Sequence, residues 1–233
     1  MTAIVASGLF RRYGRRYALQ GVSFEVAEGS LVMLAGRNGS GKSTLLRVLA
    51  TALRPDGGEA RVLGHDVLQE TETVRGQTAL LSHRANLYEP LTALENLALH
   101  ARLLGRDASR GALLERLREV DLAERADDPV SAFSAGMRQR LALSRVLLKD
   151  ARVMLLDEPY GHLDPPGFRL VDGLLESLRS KGRTVLMATH LLARGRALCD
   201  QALRLEAGRL DFAGPARDLL EREGDAPLAE GTA

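Results

Sequence analysis

Two short stretches carry residue types that could act together on a phosphate. Gly36–Thr44 reads GRNGSGKST, and Gly36, Gly41, Lys42 and Ser43 fit the phosphate-binding spacing G-x-x-x-x-G-K-[ST]. Glycines let the backbone turn tightly, so several N–H groups can point inward at one anion. A helix that starts at the same place adds the positive end of its dipole. Lys42 can then reach the β- and γ-phosphates, and the Ser43 hydroxyl suits Mg²⁺. Only three of the 32 basic residues are lysine, so a lysine in this slot is an uncommon coincidence. The second stretch is Asp157-Glu158, which comes after four apolar residues, Val153 to Leu156. A carboxylate at Asp157 suits a site beside Mg²⁺, through a water. Glu158, next along, could orient and deprotonate an attacking water as general base. Without the phosphate loop upstream, the same pair would read as a solvated turn or a helix cap.

Three further groups stay open on residue type alone. His190 ends an apolar run and either donates to a γ-phosphate or is an ordinary satisfied histidine. Ser134-Ala135-Gly136 opens a helical stretch; it either offers N–H groups to an anion or simply caps the helix through Ser134. Tyr13 and Tyr17 either stack on a base or are half-buried strand residues. No His or Cys cluster has the spacing of a zinc site.

The elements that must position these groups can be read from the pattern. Met1–Val26 alternates short apolar stretches with Arg-rich turns and predicts antiparallel strands. Leu31–Ala35 is a buried strand leading into the phosphate loop, and Ser43–Leu53 a helix. Glu59–Leu63 and Thr78–Leu81 are short strands, the second ending in Ser82-His83. From Arg84 to about Phe133 the pattern turns helical. Thr92 and Glu95 form a capping box ahead of Leu94, Leu97, Ala98 and Ala101, and Gly105 ends that helix. Leu113–Val120 is a second helix, and a third runs from near Ser134 through Leu148. Val153–Leu156 is continuous and apolar, as a parallel strand covered on both faces must be. Phe168–Arg179 is helical, Thr184–Ala188 a strand, and Gln201–Phe212 a hairpin. Asp218–Glu223 is at best a short polar helix, and Gly224–Ala233 lacks a core face. The polar groups sit at strand ends. In open α/β sheets ligands bind outside the carboxyl ends of the strands. The phosphate loop, His83, Asp157-Glu158 and His190 are therefore expected to converge.

Composition narrows the function classes. The net charge of +2 rests on nearly equal numbers of acids and bases, which leaves no basic footprint for nucleic acid. The single cysteine, Cys199, excludes an intramolecular disulfide, fits a reducing compartment, and sits in an apolar stretch where packing is its expected role. No apolar run approaches the ~18 residues of a membrane span, and the N-terminus lacks a signal peptide's apolar segment. Work at a membrane would thus need a separate partner chain.

Taken together, residues 3–212 resemble an ABC-type ATPase, the nucleotide-binding subunit of an ABC transporter. Gly36–Thr44 matches Walker A, and Val153–Asp157 matches Walker B with Glu158 as its catalytic glutamate. Phe133-Ser134-Ala135-Gly136-Met137, continuing into Arg138-Gln139-Arg140, matches the signature motif. Pro159–Asp164 matches the D-loop, His190 the switch histidine and Tyr13 the adenine-stacking aromatic. The resemblance implies an α/β fold: a P-loop NTPase (RecA-like) core over 1–83 and 147–212, an antiparallel β subdomain, and a helical subdomain inserted at 84–146. Residues 213–233 form a C-terminal extension. It implies ATP and Mg²⁺ as ligands. The nucleotide contacts would be Tyr13, Gly36, Asn38, Gly39, Ser40, Gly41, Lys42, Ser43, Thr44, Ser134, Gly136 and Asp164. Mg²⁺ would lie at Ser43, Asp157 and His83, with Glu158, His190, Lys42 and His83 serving the chemistry.

In this family two subunits close head to tail, so Ser134 and Gly136 of one would meet the γ-phosphate held by the other. The resemblance therefore implies a homodimer or pseudo-dimer that drives a transmembrane permease from the cytoplasmic face of the cell membrane, with no nucleic acid partner. The sequence departs from the family at four residues in three motifs. Ala135 stands where the usual LSGGQ has a glycine, and Met137 where it has the glutamine. His162 occupies a D-loop position that usually holds a small residue. His83 replaces the Q-loop glutamine that senses Mg²⁺ and couples to the permease. His83, the stretch Leu80–Leu97 and the Ser-Ala-Gly signature are similar to the ATP-binding subunit of the haem exporter of cytochrome c maturation. Haem export is thus the expected role, with a multidrug or lipid exporter as the alternative and a soluble, non-transport ABC ATPase behind both.

Overall fold

Three five-residue strands with no exposed residue hold the centre of the molecule. In the computed structural model, which describes residues 1–82 and 86–219, the chain opens with β1 (Thr2–Tyr13) and β2 (Arg16–Ala27), an antiparallel pair. Then come β3 (Leu31–Ala35), α1 (Lys42–Leu49), β4 (Gly57–Val62), β5 (His65–Asp66), α2 (Thr71–Gln77) and β6 (Thr78–Leu81). Helices α3 (Ala93–Leu103), α4 (Arg110–Arg118) and α5 (Ala135–Leu147) precede β7 (Val153–Asp157). The chain continues through α6 (Pro165–Ser180), β8 (Thr184–Ala188) and α7 (Leu192–Leu198) to a final hairpin, β9 (Gln201–Glu206) and β10 (Arg209–Pro215). His83 and residues 220–233 lie outside the described residues.

Two sheets form. A four-stranded antiparallel sheet has the order β2-β1-β4-β5, and a six-stranded sheet the order β10-β9-β3-β8-β7-β6. The pairs β9-β3, β3-β8, β8-β7 and β7-β6 are parallel, so these strands point their carboxyl ends the same way. Every residue of β3, β7 and β8 is buried, because strands of a parallel sheet are covered on both faces. Their side chains alternate between two cores. Val32, Leu34, Val153, Leu155 and Leu186 pack with α1 and the antiparallel sheet. Leu31, Met33, Met154, Leu156 and Met187 pack against α5, α6 and α7. A third core, around Leu97, Leu113, Leu117, Val130 and Leu141, holds α3 and α4 on one end of α5. That helix therefore serves two cores at once.

The local signals explain the helix ends. The Thr92–Glu95 capping box forms in both directions, at 3.1 and 2.8 Å, and Gly105 takes φ +62 just past the end of α3. Some expectations shift. The helix after the phosphate loop stops at Leu49, not Leu53, and Thr51 takes φ +59. The second inserted helix begins at Arg110, capped by Ser109, and ends at Arg118. Helix α6 starts three residues earlier than the apolar pattern suggested, because Asp164 caps it and Pro165 suits its first turn. Elements β5, α2 and α7 were not expected; they span two, seven and seven residues, too short for a clear period. The last described turn is a 3₁₀ segment at Ala216–Asp218, and most of the expected helix Asp218–Glu223 lies outside the described residues. No helix among the described residues is long and apolar enough to cross a membrane.

Candidate nucleotide site

The phosphate loop is built by close approach. Gly36 takes φ +138, and a Cβ there would stand 2.3 Å from the Leu205 carbonyl oxygen and 2.7 Å from Ser40 Oγ. Gly41 takes φ +113, and its Cβ would stand 2.3 Å from the Ala18 carbonyl oxygen. Only glycine fits either place. The loop is pinned at its far side, where Gly208 N–H donates to the Ser40 carbonyl at 2.9 Å. Lys42 is 7% exposed, and its Nζ donates to the carbonyls of Gly36 at 2.6 Å and Arg37 at 3.2 Å. The ammonium is thereby held across the mouth of its own loop, and these carbonyls offset part of its desolvation. The Ser40 hydroxyl oxygen is buried with no hydrogen-bond partner among the described residues.

A cavity of about 520 Å³ opens above the loop, a size suited to a small-molecule ligand. It is lined by Asn38, Gly39, Gly41, Lys42, Ser43 and Thr44 from the loop and α1, and by Asp157 and Glu158 from the end of β7. Tyr13, Arg16 and Ala18 complete the wall. Gly36 and Ser40 line an adjoining recess. Tyr13 is 47% exposed, with the Arg11 guanidinium carbon 5.0 Å from its ring centroid. Asp157 is 4% exposed. It shares the cavity with Ser43, and a carboxylate beside a hydroxyl is a hard oxygen set of the kind Mg²⁺ prefers.

Glu158 is held in an unusual way. It takes φ +51, where a side chain with a Cβ is strained. Its N–H donates to the Ala188 carbonyl at 2.9 Å, which extends the β7–β8 ladder by one bond. Its Oε2 lies 2.9 Å from His190 Nδ1, so the two groups at neighbouring strand ends meet directly. Asp157, Glu158, His190 and the phosphate loop thus gather at the carboxyl ends of β7, β8 and β3.

Three expected contacts lie elsewhere. Ser134 is exposed and caps α5, its Oγ accepting from Met137 N–H at 3.2 Å. Gly136 sits against the His162 carbonyl, 2.9 Å from where a Cβ would be. Asp164 caps α6 through Gly167 N–H at 2.9 Å. None of the three lines the cavity of its own chain.

The structure also brings in residues to which the sequence gives no individual role. Arg16 Nη2 donates to the Gly39 carbonyl at 3.2 Å, a reach across the loop that no local pattern reveals. Gln139 Nε2 donates to the carbonyls of Glu158 at 3.1 Å and Pro159 at 3.2 Å; its only signal is its place in the Arg138-Gln139-Arg140 run. Tyr160 donates to Asp172 at 2.8 Å, and Asp172 pairs with Arg194, whose guanidinium lies over the Tyr160 and Phe168 rings. Burial first, and then the Asp172 carboxylate, push the Tyr160 hydroxyl well above the usual phenol range. Cys199 is buried, and burial pushes its thiol up to about 12, which suits packing and not nucleophilic chemistry.

Comparison with known proteins places this geometry. The family described as ABC transporter matches residues 19–161. The chain is 41% identical to the daunorubicin resistance ATP-binding protein DrrA3 of Streptomyces coeruleorubidus, over 96% of its own length and 71% of that protein's. It is 34% identical to the Nod factor export ATP-binding protein I of Ralstonia nicotianae, over 93% and 68%. Among solved structures, an ATP-binding subunit of an ABC transporter matches with TM-score 0.82 and 30% identity, over 93% of this chain and 91% of that one. A dimeric ATP-binding cassette in a post-hydrolysis state with ADP and Pi matches with TM-score 0.83 and 27% identity, over 93% and 100%. The names of the relatives favour the multidrug-exporter alternative over haem export. The haem reading rests on His83, the stretch Leu80–Leu97 and the Ser-Ala-Gly signature, which do not separate one exporter from another.

Proposed function

This chain belongs to the ABC transporter family as an ATP-hydrolysing cassette, and we propose that it powers an exporter of a small drug-like compound through a separate membrane-spanning permease. The observation that carries this reading is the single cavity holding Lys42, Ser43, Asp157 and Glu158, with His190 bonded to Glu158. Tyr13 stacks on adenine at the cavity mouth. The N–H groups of the loop, the dipole of α1 and Lys42 bind the phosphate chain. Mg²⁺, held by Ser43 and Asp157, would neutralise charge on the β- and γ-phosphates. Glu158 receives the proton of the attacking water. Against an anionic Glu158 the His190 ring must carry its proton on Nδ1, which leaves Nε2 as an acceptor in the neutral ring. Donation from His190 to a γ-phosphate therefore requires the doubly protonated imidazole.

The exposed Ser134 and the half-buried Gly136, standing apart from their own chain's cavity, support a head-to-tail pair in which each subunit supplies the γ-phosphate side of the other's site. The dimeric state named for one structural neighbour agrees with that pairing. Closure on ATP and reopening on hydrolysis would then drive a permease from the cytoplasmic face. For His83, which lies outside the described residues, the role of metal sensor and hinge rests on the family resemblance alone. The export reading is supported by the drug-resistance and export names of the relatives.

The test is a gentle pull-down of the tagged chain from membranes of its own host, with mass spectrometry of the captured proteins, together with an export assay. The expected result is a co-purifying multispan permease and loss of drug efflux when the chain is removed. Recovery with a cytochrome-maturation permease would restore haem export instead. Recovery only with ribosomes, DNA or an assembly scaffold would overturn the transporter role.

A further inference from the structure

We infer that Gln139 is a positioning residue that ties the first turns of α5 to the hydrolytic carboxylate of the same protomer; this rests on the reading of Glu158 as the base. The geometry is specific. The two carbonyls that Gln139 Nε2 reaches belong to consecutive residues, Glu158 and Pro159. They belong to the two consecutive peptides that follow a residue at φ +51. That backbone conformation is costly for a residue with a Cβ, so it persists only where the surroundings over-determine it. Among the described residues, three bonds do so. Glu158 N–H donates to Ala188, Gly161 N–H donates to the Glu158 carbonyl at 3.0 Å, and Gln139 donates to the same carbonyl. The first two arise within the turn and the sheet. Gln139 alone of these donors comes from the helical insertion.

A second contact joins the same two pieces. The first turn of α5 lies so close to the turn after Glu158 that a Cβ on Gly136 would be 2.9 Å from the His162 carbonyl oxygen. The start of α5 and the segment 158–162 therefore cannot shift independently without breaking the Gln139 bonds or opening this contact. Rotation of the peptide after Glu158 would swing its carboxylate relative to His190. Gln139 stands five residues from Ser134, about 7.5 Å along the helix. In a head-to-tail pair Ser134 faces the partner's nucleotide while Glu158 faces its own. Gln139 then links occupancy of one site to alignment of the base in the other.

The test uses Gln139→Met, which keeps length without a donor, and Gln139→Glu, which places a carboxylate opposite two carbonyls. Steady-state ATP hydrolysis is measured on each, beside wild type and Glu158→Gln. The expected result is a kcat lower by about 10- to 100-fold, up to the effect that misplacing a reacting group by about 1 Å produces. KM for ATP stays within about twofold, since Gln139 lines no part of the cavity. The Hill coefficient for ATP falls toward one, and Gln139→Glu is the more impaired. Wild-type kcat in Gln139→Met overturns the inference. So does a kcat loss matched by a raised KM and a lowered Tm, which marks a general packing role. If Glu158→Gln itself hydrolyses ATP normally, the base assignment and the inference fall together. If Glu158→Gln is dead and the Gln139 variants are normal, only the inference falls.

Discussion

The backbone of Glu158 leads to a stability prediction whose sign is opposite to the usual one. Replacing Glu158 by Ala and by Gly removes the same carboxylate and the same contact with His190, so those losses cancel between the two variants. What remains is the backbone at φ +51. Alanine at that angle pays about 1–2 kcal/mol of steric strain, as Glu158 does. Glycine has no such strain, but it loses roughly 0.5–1 kcal/mol more conformational freedom on folding. The balance leaves Glu158→Gly the more stable by about 0.5–1 kcal/mol. At an ordinary helix or strand position the glycine variant would be the less stable by a similar amount. For a chain of 233 residues this difference corresponds to a Tm higher by about 1–4 °C. The assay is paired thermal and urea unfolding without nucleotide, so that binding does not enter. Equal stability, or an advantage for Glu158→Ala, would refute the strain and with it the reason for three hydrogen bonds around one residue.

Gly41 and His100 carry two further predictions. Gly41→Ala should weaken ATP binding at least about tenfold, because the new methyl would stand 2.3 Å from the Ala18 carbonyl in a laddered strand at an angle only glycine adopts freely; equilibrium binding of ATP at wild-type strength would contradict it. His100 has a pKa lowered from 6.5 by burial and then by the nearby Arg145, so the unfolded chain takes up this proton first as pH falls. Stability should hold above about pH 6.5 and decline below it. Urea midpoints should show His100→Gln with a flatter decline than wild type, and an unchanged slope would remove His100 as a source.

The parts of this molecule that are legible in the sequence are those set by local chemistry. Continuous apolar runs mark β3, β7 and β8, since a strand covered on both faces has no polar side to show. Thr92 and Glu95 announce α3, because a capping box is written within four residues. The phosphate loop is readable from its glycines; the cavity is lined by Lys42, Asp157 and Glu158, His190 meets it through Glu158, and His83 lies outside the described residues. What stays hidden depends on contacts between distant segments. Helix α7 carries Gly195, where a Cβ would overlap Met33 Sδ, and that closeness to β3 has no trace in its own seven residues. Arg16 and Gln139 are polar residues in polar surroundings, and only the fold shows which carbonyls they reach. The left-handed angle at Glu158 is likewise invisible, because a glutamate gives no sign of unusual backbone. The exporter subclass is weakly written in the sequence: the cues toward haem are His83, the stretch Leu80–Leu97 and the Ser-Ala-Gly signature, none of them in the site chemistry, and the names of the relatives favour the multidrug alternative.

The most direct test of Glu158 as the hydrolytic base is phosphate release by purified wild type and Glu158→Gln with ATP and Mg²⁺, read together with the size of each protein in solution. Wild type should turn over, and Glu158→Gln should keep its ATP affinity, release no phosphate and accumulate as a trapped ATP-bound dimer. Normal phosphate release by Glu158→Gln would contradict this chemistry and remove Glu158 as the base.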